Sequence, residues 1–394
     1  MRHVLECTGY EVLTRQIVRG EGSYIYDING KCYVDFEAGV WCTSLGHNQY
    51  DVNQAIITQL GKISHVGYRY PNNIVEETAQ KVLETLDMLD GKCVFLNSGS
   101  EAVELGVQMA RELSPKPLLL TFSDTYLSAY GSSGKKLSEE WYLFDWSPCK
   151  TCTKVNKCDI NCELIKNIPF EILGGFVFEP GNSSGLIKLP PKQLVKTLEK
   201  LIKQNNGIIV VDEVTTGVGR TGKWYGYMHY NITPDIIAIG KGIGNGYPVS
   251  IVAIKQNIDE ALGKTDFHYA QSHQNDALGC AVVKEVIKVI GQENLVIRSK
   301  ELGKWFLKEL EKLVSKYGII KEVRGRGLML GIEFKESIDQ DWLKELNQKL
   351  FIRGYMIGYK KAANLFRFYP ALNIKKKDIE MMLENLDEAI LKML

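Results

Sequence analysis

The chain has 394 residues, with 48 lysines and arginines against 47 aspartates and glutamates, a formal net charge of +1 and 45% hydrophobic residues. That balance offers no field for nucleic acid or an anionic membrane, and the length suffices for a substantial core shared between about two domains. The start, Met-Arg-His-Val-Leu-Glu-Cys, lacks an apolar signal core, no run of about eighteen apolar residues could span a bilayer, and cysteines scattered at 7, 32, 42, 93 and 280 point to a reducing, cytoplasmic setting.

Residues 24–36, YIYDINGKCYVDF, form two alternating runs about Asn29-Gly30 and predict a β-hairpin. Helical spacing follows at 50–62 and 74–88. From there, strand-like runs at 92–96, 117–122, 174–179 and 207–212 alternate with helical or loop segments, the pattern of an α/β domain. Helical spacing covers 282–316, with Leu302, Phe306, Leu310 and Leu313 on one side, and 323–334 reads as a strand. A last helix, 377–394, puts Ile379, Met382, Leu386 and Ile390 on one face. The expected division is a large α/β domain over 51–281 and a smaller α+β domain made from 1–50 and 282–394, with the site between them.

The segment from Val210 to Ser250 carries the sharpest chemical signal. Asp212 closes the apolar run Gly-Ile-Ile-Val-Val, and Lys241 follows Asp-Ile-Ile-Ala-Ile-Gly. Ligands of open parallel sheets collect outside the carboxyl ends of the strands, so both side chains would reach one crevice. Pyridoxal phosphate needs such a lysine to tether its aldehyde and an acid beside its ring nitrogen. Taken alone, the pair could be an ordinary strand-end acid and a surface lysine. A third element narrows the choice: NSGSEAVELGVQMAR at 97–111 runs from a Ser-Gly-Ser turn into a helical pattern. Its free amides and helix dipole suit a phosphate, with Gly99 allowing close approach, although Ser100 followed by glutamates also fits a plain helix cap.

Gly-Val-Trp-Cys-Thr-Ser-Leu-Gly-His at 39–47, NSGSEA at 97–102, Glu179-Pro180, DEVTTGVGRTG at 212–222, the Lys241 segment and Arg-Phe-Tyr-Pro-Ala-Leu at 367–372 form an ordered set. In these residues the chain resembles the class III aminotransferases of the fold-type I pyridoxal phosphate enzymes, and the likeness spans nearly the whole sequence. The resemblance implies a mostly parallel seven-stranded sheet between helices, plus the smaller domain from both termini. It implies that Lys241 carries the cofactor and shuttles the proton, and that Asp212 pairs with the ring nitrogen. Val214 and Tyr126 would flank the ring, Ser98, Gly99 and Ser100 would hold the phosphate, and Glu179 and Thr215 would complete its surroundings. Ser272 would reach the phosphate of a partner subunit, so a homodimer with shared sites is implied. Trp41, Tyr68, Arg69 and Arg367 are the implied substrate residues, Arg367 for a carboxylate.

The implied activity is transfer of an amino group between an amino acid or amine and a 2-oxo acid. A racemase, epimerase or aminomutase on the same fold is the alternative, and a non-enzymatic binding protein a more distant one. Thr215 and Leu127 stand where many members have glutamine and histidine. The stretch after Glu179-Pro180 is a residue shorter than usual and has no acid before Pro190, where members acting on terminal amines often place a glutamate over the carboxylate-binding arginine. Arg367 is therefore expected to stay open, which favours α-amino acids or a racemase-type cycle.

One feature lies outside the resemblance. Cys149, Cys152, Cys158 and Cys162, in an insertion over 147–163, follow C-x2-C and C-x3-C spacing with polar residues between them. Four thiolates so spaced could close on a structural zinc, or less readily hold an iron–sulfur cluster; reduced thiols or a pair of disulfides are the other readings.

Overall fold

The computed structural model describes residues 3–5, 7–9, 12–14, 16–153, 158–181 and 185–394. Residues 182–184 of the shortened stretch and 154–157 of the cysteine insertion therefore lie outside the described residues.

Strands β1 (Ile17–Glu21), β2 (Tyr24–Asp27) and β3 (Cys32–Asp35) pair antiparallel in succession, the expected hairpin among them. Gly30, at φ +79°, supplies its left-handed turn residue. The chain then passes through α1 (Ala38–Trp41), an irregular turn in which Ala38, Gly39, Val40 and Trp41 all have positive φ. Helices α2 (Tyr50–Leu60) and α3 (Asn73–Leu86) follow, α3 opened by the Asn72 side chain, which accepts from the Ile74 amide.

The next segment builds the seven-stranded sheet. In chain order it contains β4 (Lys92–Leu96), α4 (Gly99–Glu112), β5 (Leu118–Phe122), α5 (Gly131–Lys135), β6 (Trp141–Phe144) and β7 (Leu173–Phe178). Then come α6 (Lys192–Gln204), β8 (Ile208–Asp212), β9 (Ile236–Ile239), β10 (Ser250–Ile254) and α7 (Gln256–Leu262). The strand order is β4-β10-β9-β8-β7-β5-β6, parallel throughout except for β10, which runs against both neighbours.

Strand periodicity sorts the side chains between two cores. Val210, Val177, Ile236 and Val252 face α4, while Ile209, Val211, Phe176 and Ile237 enter the larger core on the opposite face. Burial on both faces explains why these strands read as continuous apolar runs. The parallel strands therefore end along one edge, where Asn97, Ser123, Glu179, Glu213 and Gly240 emerge.

The expected helix over 282–316 is two helices, α8 (Ala277–Gln292) and α9 (Leu295–Lys316), broken at Asn294, whose φ is +52°. Asparagine tolerates that left-handed conformation, so the chain turns without glycine or proline to advertise it. The expected domain boundary at 281–282 falls inside α8, which packs on α2 and α3. Likewise 323–334 is a hairpin rather than one strand: β11 (Ile320–Arg326) turns at Gly327 into β12 (Met329–Phe334). After α10 (Gln340–Ile352) come β13 (Tyr355–Met356), β14 (Gly358–Lys360), β15 (Leu365–Phe368) and α11 (Lys376–Met393). One four-stranded sheet has the order β11-β12-β15-β14, and β13 joins the amino-terminal hairpin by pairing parallel to β3. Among the described residues no helix is long and apolar enough to cross a membrane.

Candidate active site

The edge where the parallel strands end gathers most of the expected residues. At the start of α4, Ser98 and Glu101 form a capping box: the Ser98 hydroxyl accepts from the Glu101 amide, and the Glu101 carboxylate accepts from the Ser98 and Asn97 amides. No acceptor is recorded among the described residues for the next amides, Gly99 and Ser100, which leaves them as donors at the positive end of the helix. A Cβ on Gly99 would lie 2.5 Å from Cγ1 of Val214, so only glycine lets these two strand-end loops meet. The Ser100 hydroxyl accepts from the Ala129 amide at 3.0 Å. Tyr126 is 45% exposed, and its amide donates to Glu179 at 3.2 Å.

Asp212 is buried at the end of β8, and its Oδ1 accepts from the Val214 amide at 2.9 Å. Burial pushes its carboxyl up to about 6, although the Val214 amide and Lys241 both favour the charged form. Lys241 follows β9 at φ +46°, left-handed backbone that a lysine adopts only where its surroundings enforce it. Its Nζ donates to Thr215 Oγ1 at 2.8 Å and lies 4.9 Å from the centre of the Trp41 ring. Desolvation lowers the lysine pKa, with the Asp212 charge opposing it.

Trp41 connects this lysine to Arg367. The guanidinium lies 5.2 Å from the same indole ring, and Tyr369 stacks on the indole at 4.8 Å. Arg367 is not open, as the sequence suggested: its Nη2 donates to Glu37 Oε2 at 3.1 Å. The second Glu37 oxygen accepts from Trp41 Nε1 at 3.4 Å. The masking acid comes not from the stretch between Pro180 and Pro190 but from the exit of β3, 330 positions away from Arg367. Two glycines make room for the pair, since a Cβ on Gly185 would meet Arg367 and one on Gly358 would meet both Glu37 and Arg367.

Asp35 sets the loop that carries Glu37 and Trp41. Its carboxylate accepts from the Glu37 amide at 2.8 Å and the Gly39 amide at 3.0 Å, and contacts His47 Nε2 at 2.8 Å. Burial raises the Glu37 carboxyl to about 7 against the opposing pull of Arg367 and Trp41, and the nearby Asp35 charge adds to the rise. Among the described residues, the buried Arg367 Nε and Tyr369 hydroxyl have no hydrogen-bond partner, polar atoms that a polar ligand would satisfy.

Three of the expected residues are exposed: Tyr68 and Arg69, between α2 and α3, and Ser272, before α8. Sequence reasoning missed Glu37, Tyr369 and Asp35. Only the proximity of Glu37 to Trp41 in Asp-Phe-Glu-Ala-Gly-Val-Trp could have drawn attention to the first of them.

The four insertion cysteines carry free thiols. Cys149 lies close enough to Cys152, Cys158 and Cys162 to feel their charges. Among the described residues, however, no three of the sulfurs come within 4.8 Å of one another; the group that does meet that spacing is His65, His273 and Asp276.

The donors at the start of α4, the buried acid of β8, the lysine after β9 and the exposed Tyr126 ring fit a pyridoxal phosphate whose phosphate, ring nitrogen, aldehyde and ring face need those four partners. Comparison with known proteins points the same way. The pattern described as "Aminotransferase class-III" matches residues 7–133 and 148–390. The acetylornithine aminotransferase of Methanocaldococcus jannaschii is 32% identical over 94% of this chain and 92% of its own length. The [LysW]-aminoadipate semialdehyde/glutamate semialdehyde transaminase of Sulfolobus acidocaldarius is 30% identical over 95% of both. In fold, the chain is similar to a pyridoxal phosphate-bound amine transaminase from an uncultivated Pseudomonas species, with a TM-score of 0.90 at 22% identity, covering 100% of this chain and 99% of that one.

Proposed function

Since this chain belongs to the class III aminotransferase family and moves an amino group between an amino donor and a 2-oxo acid with pyridoxal phosphate, we propose that its donor reacts through a terminal amine. The observation that carries this reading is the Glu37–Arg367 pair on the Trp41 ring that Lys241 also approaches. While Glu37 holds the guanidinium, a donor's own carboxylate has no cation there, and an amine remote from its carboxylate is the better fit. A 2-oxo acid then needs Arg367, and protonation of Glu37 releases it. Relatives named for acetylornithine and for semialdehydes support the same reading, because an aldehyde product comes from a terminal amine. The earlier expectation of an α-amino acid or racemase-type cycle falls with the open arginine on which it rested.

In this reading the cofactor supplies the electron sink for the bond broken at the amine-bearing carbon. Lys241 tethers it and, with its basicity lowered by burial, takes and returns the proton at that carbon. Asp212 holds the ring nitrogen protonated. Gly99 and Ser100 donate amides to the phosphate, with Ser98 fixing the turn. Val214 and Tyr126 flank the ring, Thr215 meets the Lys241 amine, and Glu179 steadies the Tyr126 loop.

We further propose that the enzyme is a cytoplasmic homodimer in which the exposed Ser272 reaches the phosphate site of the other copy, with Tyr68 and Arg69 as candidate substrate residues. The reaction would occur between the unit built on the seven-stranded sheet and the one built from both termini. The four insertion cysteines take no part in it, so a zinc held there would be structural.

The deciding experiment is a single half-reaction with terminal-amine donors and α-amino acids offered separately, the carbonyl product being identified by mass spectrometry. Aldehyde from the former at much the higher rate is expected. Faster 2-oxo acid formation from α-amino acids would overturn the reading.

A further inference from the structure

The connection from Phe144 to Leu173 stands apart from the rest of the sheet's connections. Among the described residues, its regular structure consists of two short 3-10 turns, Ser147–Thr151 and Phe170–Ile172. Connections of this length without helix or strand are uncommon in compact domains and need another source of order. Its two ends have one: Trp146 is buried at the start, and Ile165, Ile168 and Phe170 are buried at the finish. Between those anchors, the described residues that pack against the main core are Cys149, Cys158, Cys162 and Leu164.

The cysteines are also tied to the framework through their backbones. The Cys149 amide donates to the Trp146 carbonyl at 2.9 Å, and the Cys152 amide to the Cys149 carbonyl at 3.4 Å. The Cys158 carbonyl accepts from the Thr197 hydroxyl of α6 at 2.9 Å. The Cys162 carbonyl accepts from the Ile165 and Lys166 amides, each at 2.9 Å. Four thiols from three turns thus share one neighbourhood, with their backbones held, although the sulfurs have yet to close to ligand spacing.

We propose that Cys149, Cys152, Cys158 and Cys162 bind one structural zinc ion that pins this connection to α6 and the rim of the large sheet. Four thiolates without histidine or carboxylate are a closed tetrahedral set for a borderline-soft, redox-inert cation, with no open position for catalysis. Zinc–sulfur bonds of about 2.3 Å would draw the sulfurs to roughly 3.8 Å from one another. A zinc with four thiolates carries two net negative charges, and Lys150 beside Cys149 offsets part of them. Binding displaces the thiol protons to solvent and involves no change of oxidation state.

The consequence reaches the candidate active site by a short route. Trp146, which anchors Cys149, donates its indole N–H to Asp124 at 3.1 Å, and Asp124 lies two residues before Tyr126. Metal loss is therefore expected to lower the melting temperature and loosen cofactor retention, while the chemical step in cofactor-saturated enzyme is preserved.

The test uses the full-length holoenzyme purified without chelator. Elemental analysis is expected to find about one zinc per chain, and cobalt substitution to give the intense thiolate-to-metal absorption of a four-sulfur site. Cys152→Ser, at the exposed ligand, should lower zinc occupancy and melting temperature while leaving Lys241 able to take up pyridoxal phosphate. Should that variant fail to fold, titrating the wild-type thiols with an organomercurial must release the zinc in step with four thiols. Zinc below about a tenth of an equivalent would overturn the proposal. So would iron with sulfide, disulfide-linked peptides covering these cysteines, or zinc undisturbed by Cys152→Ser.

Discussion

Replacing Glu37 by glutamine tests the core of the functional reading, because it removes a charge while keeping a side chain that can still reach Arg367 and Trp41. In the wild type, Glu37 has its carboxyl raised to about 7 and faces Arg367, Trp41 and Asp35. Below that value it is protonated and neutral, the ion pair weakens, and the guanidinium is available to the carboxylate of a 2-oxo acid. Above it, each further pH unit makes release of Arg367 about tenfold harder, or roughly 1.4 kcal/mol. Wild-type affinity for the oxo acid should therefore be similar to that of Glu37→Gln near pH 6 and about 100-fold weaker near pH 9. The assay is KM and kcat for 2-oxoglutarate at saturating donor across that range, expressed as the ratio of variant to wild type so that titrations common to both cancel. The ratio of KM values should fall steadily above about pH 7. A flat ratio, or a variant with weaker oxo-acid binding at every pH, would refute the claim that Glu37 competes for Arg367.

Lys241→Ala is expected to abolish turnover while pyridoxal phosphate still binds; borohydride reduction followed by peptide mass spectrometry should then find no cofactor attached at that position, whereas the wild type carries it on Lys241. Asp212→Ala should slow the half-reaction by several orders of magnitude, and a loss below about tenfold, roughly 1.4 kcal/mol, would be incompatible with its proposed role at the ring nitrogen. Gly99→Ala puts a methyl group into Val214; the dissociation constant for pyridoxal phosphate, measured by fluorescence titration of apoenzyme, should rise well above tenfold, about 1.4 kcal/mol, and unchanged affinity would remove the close-approach argument.

The features legible in the sequence are those set by neighbours along the chain. Apolar runs closing on Asp212 and preceding Lys241 read as buried strands because two-faced burial leaves no alternation to confuse them, and the Ser-Gly-Ser turn marked the start of α4, although the capping residue is Ser98, paired with Glu101, and not Ser100. The hairpin about Gly30 was visible for the same reason. The break at Asn294 was local but silent, since asparagine turns left-handed without the glycine or proline that marks most helix ends. Tertiary structure alone joined β13 to β3 and set Glu37 against Arg367. No periodicity links positions 330 residues apart, and the ion pair depends on the Asp35 carboxylate fixing one loop while Gly185 and Gly358 clear the space beside the other partner. The sequence alone thus determined which side chains stand at the strand ends, because strand burial is a one-dimensional pattern. Whether Arg367 is free or held was decided only in three dimensions, because a buried charge takes whichever counter-charge the packing brings to it.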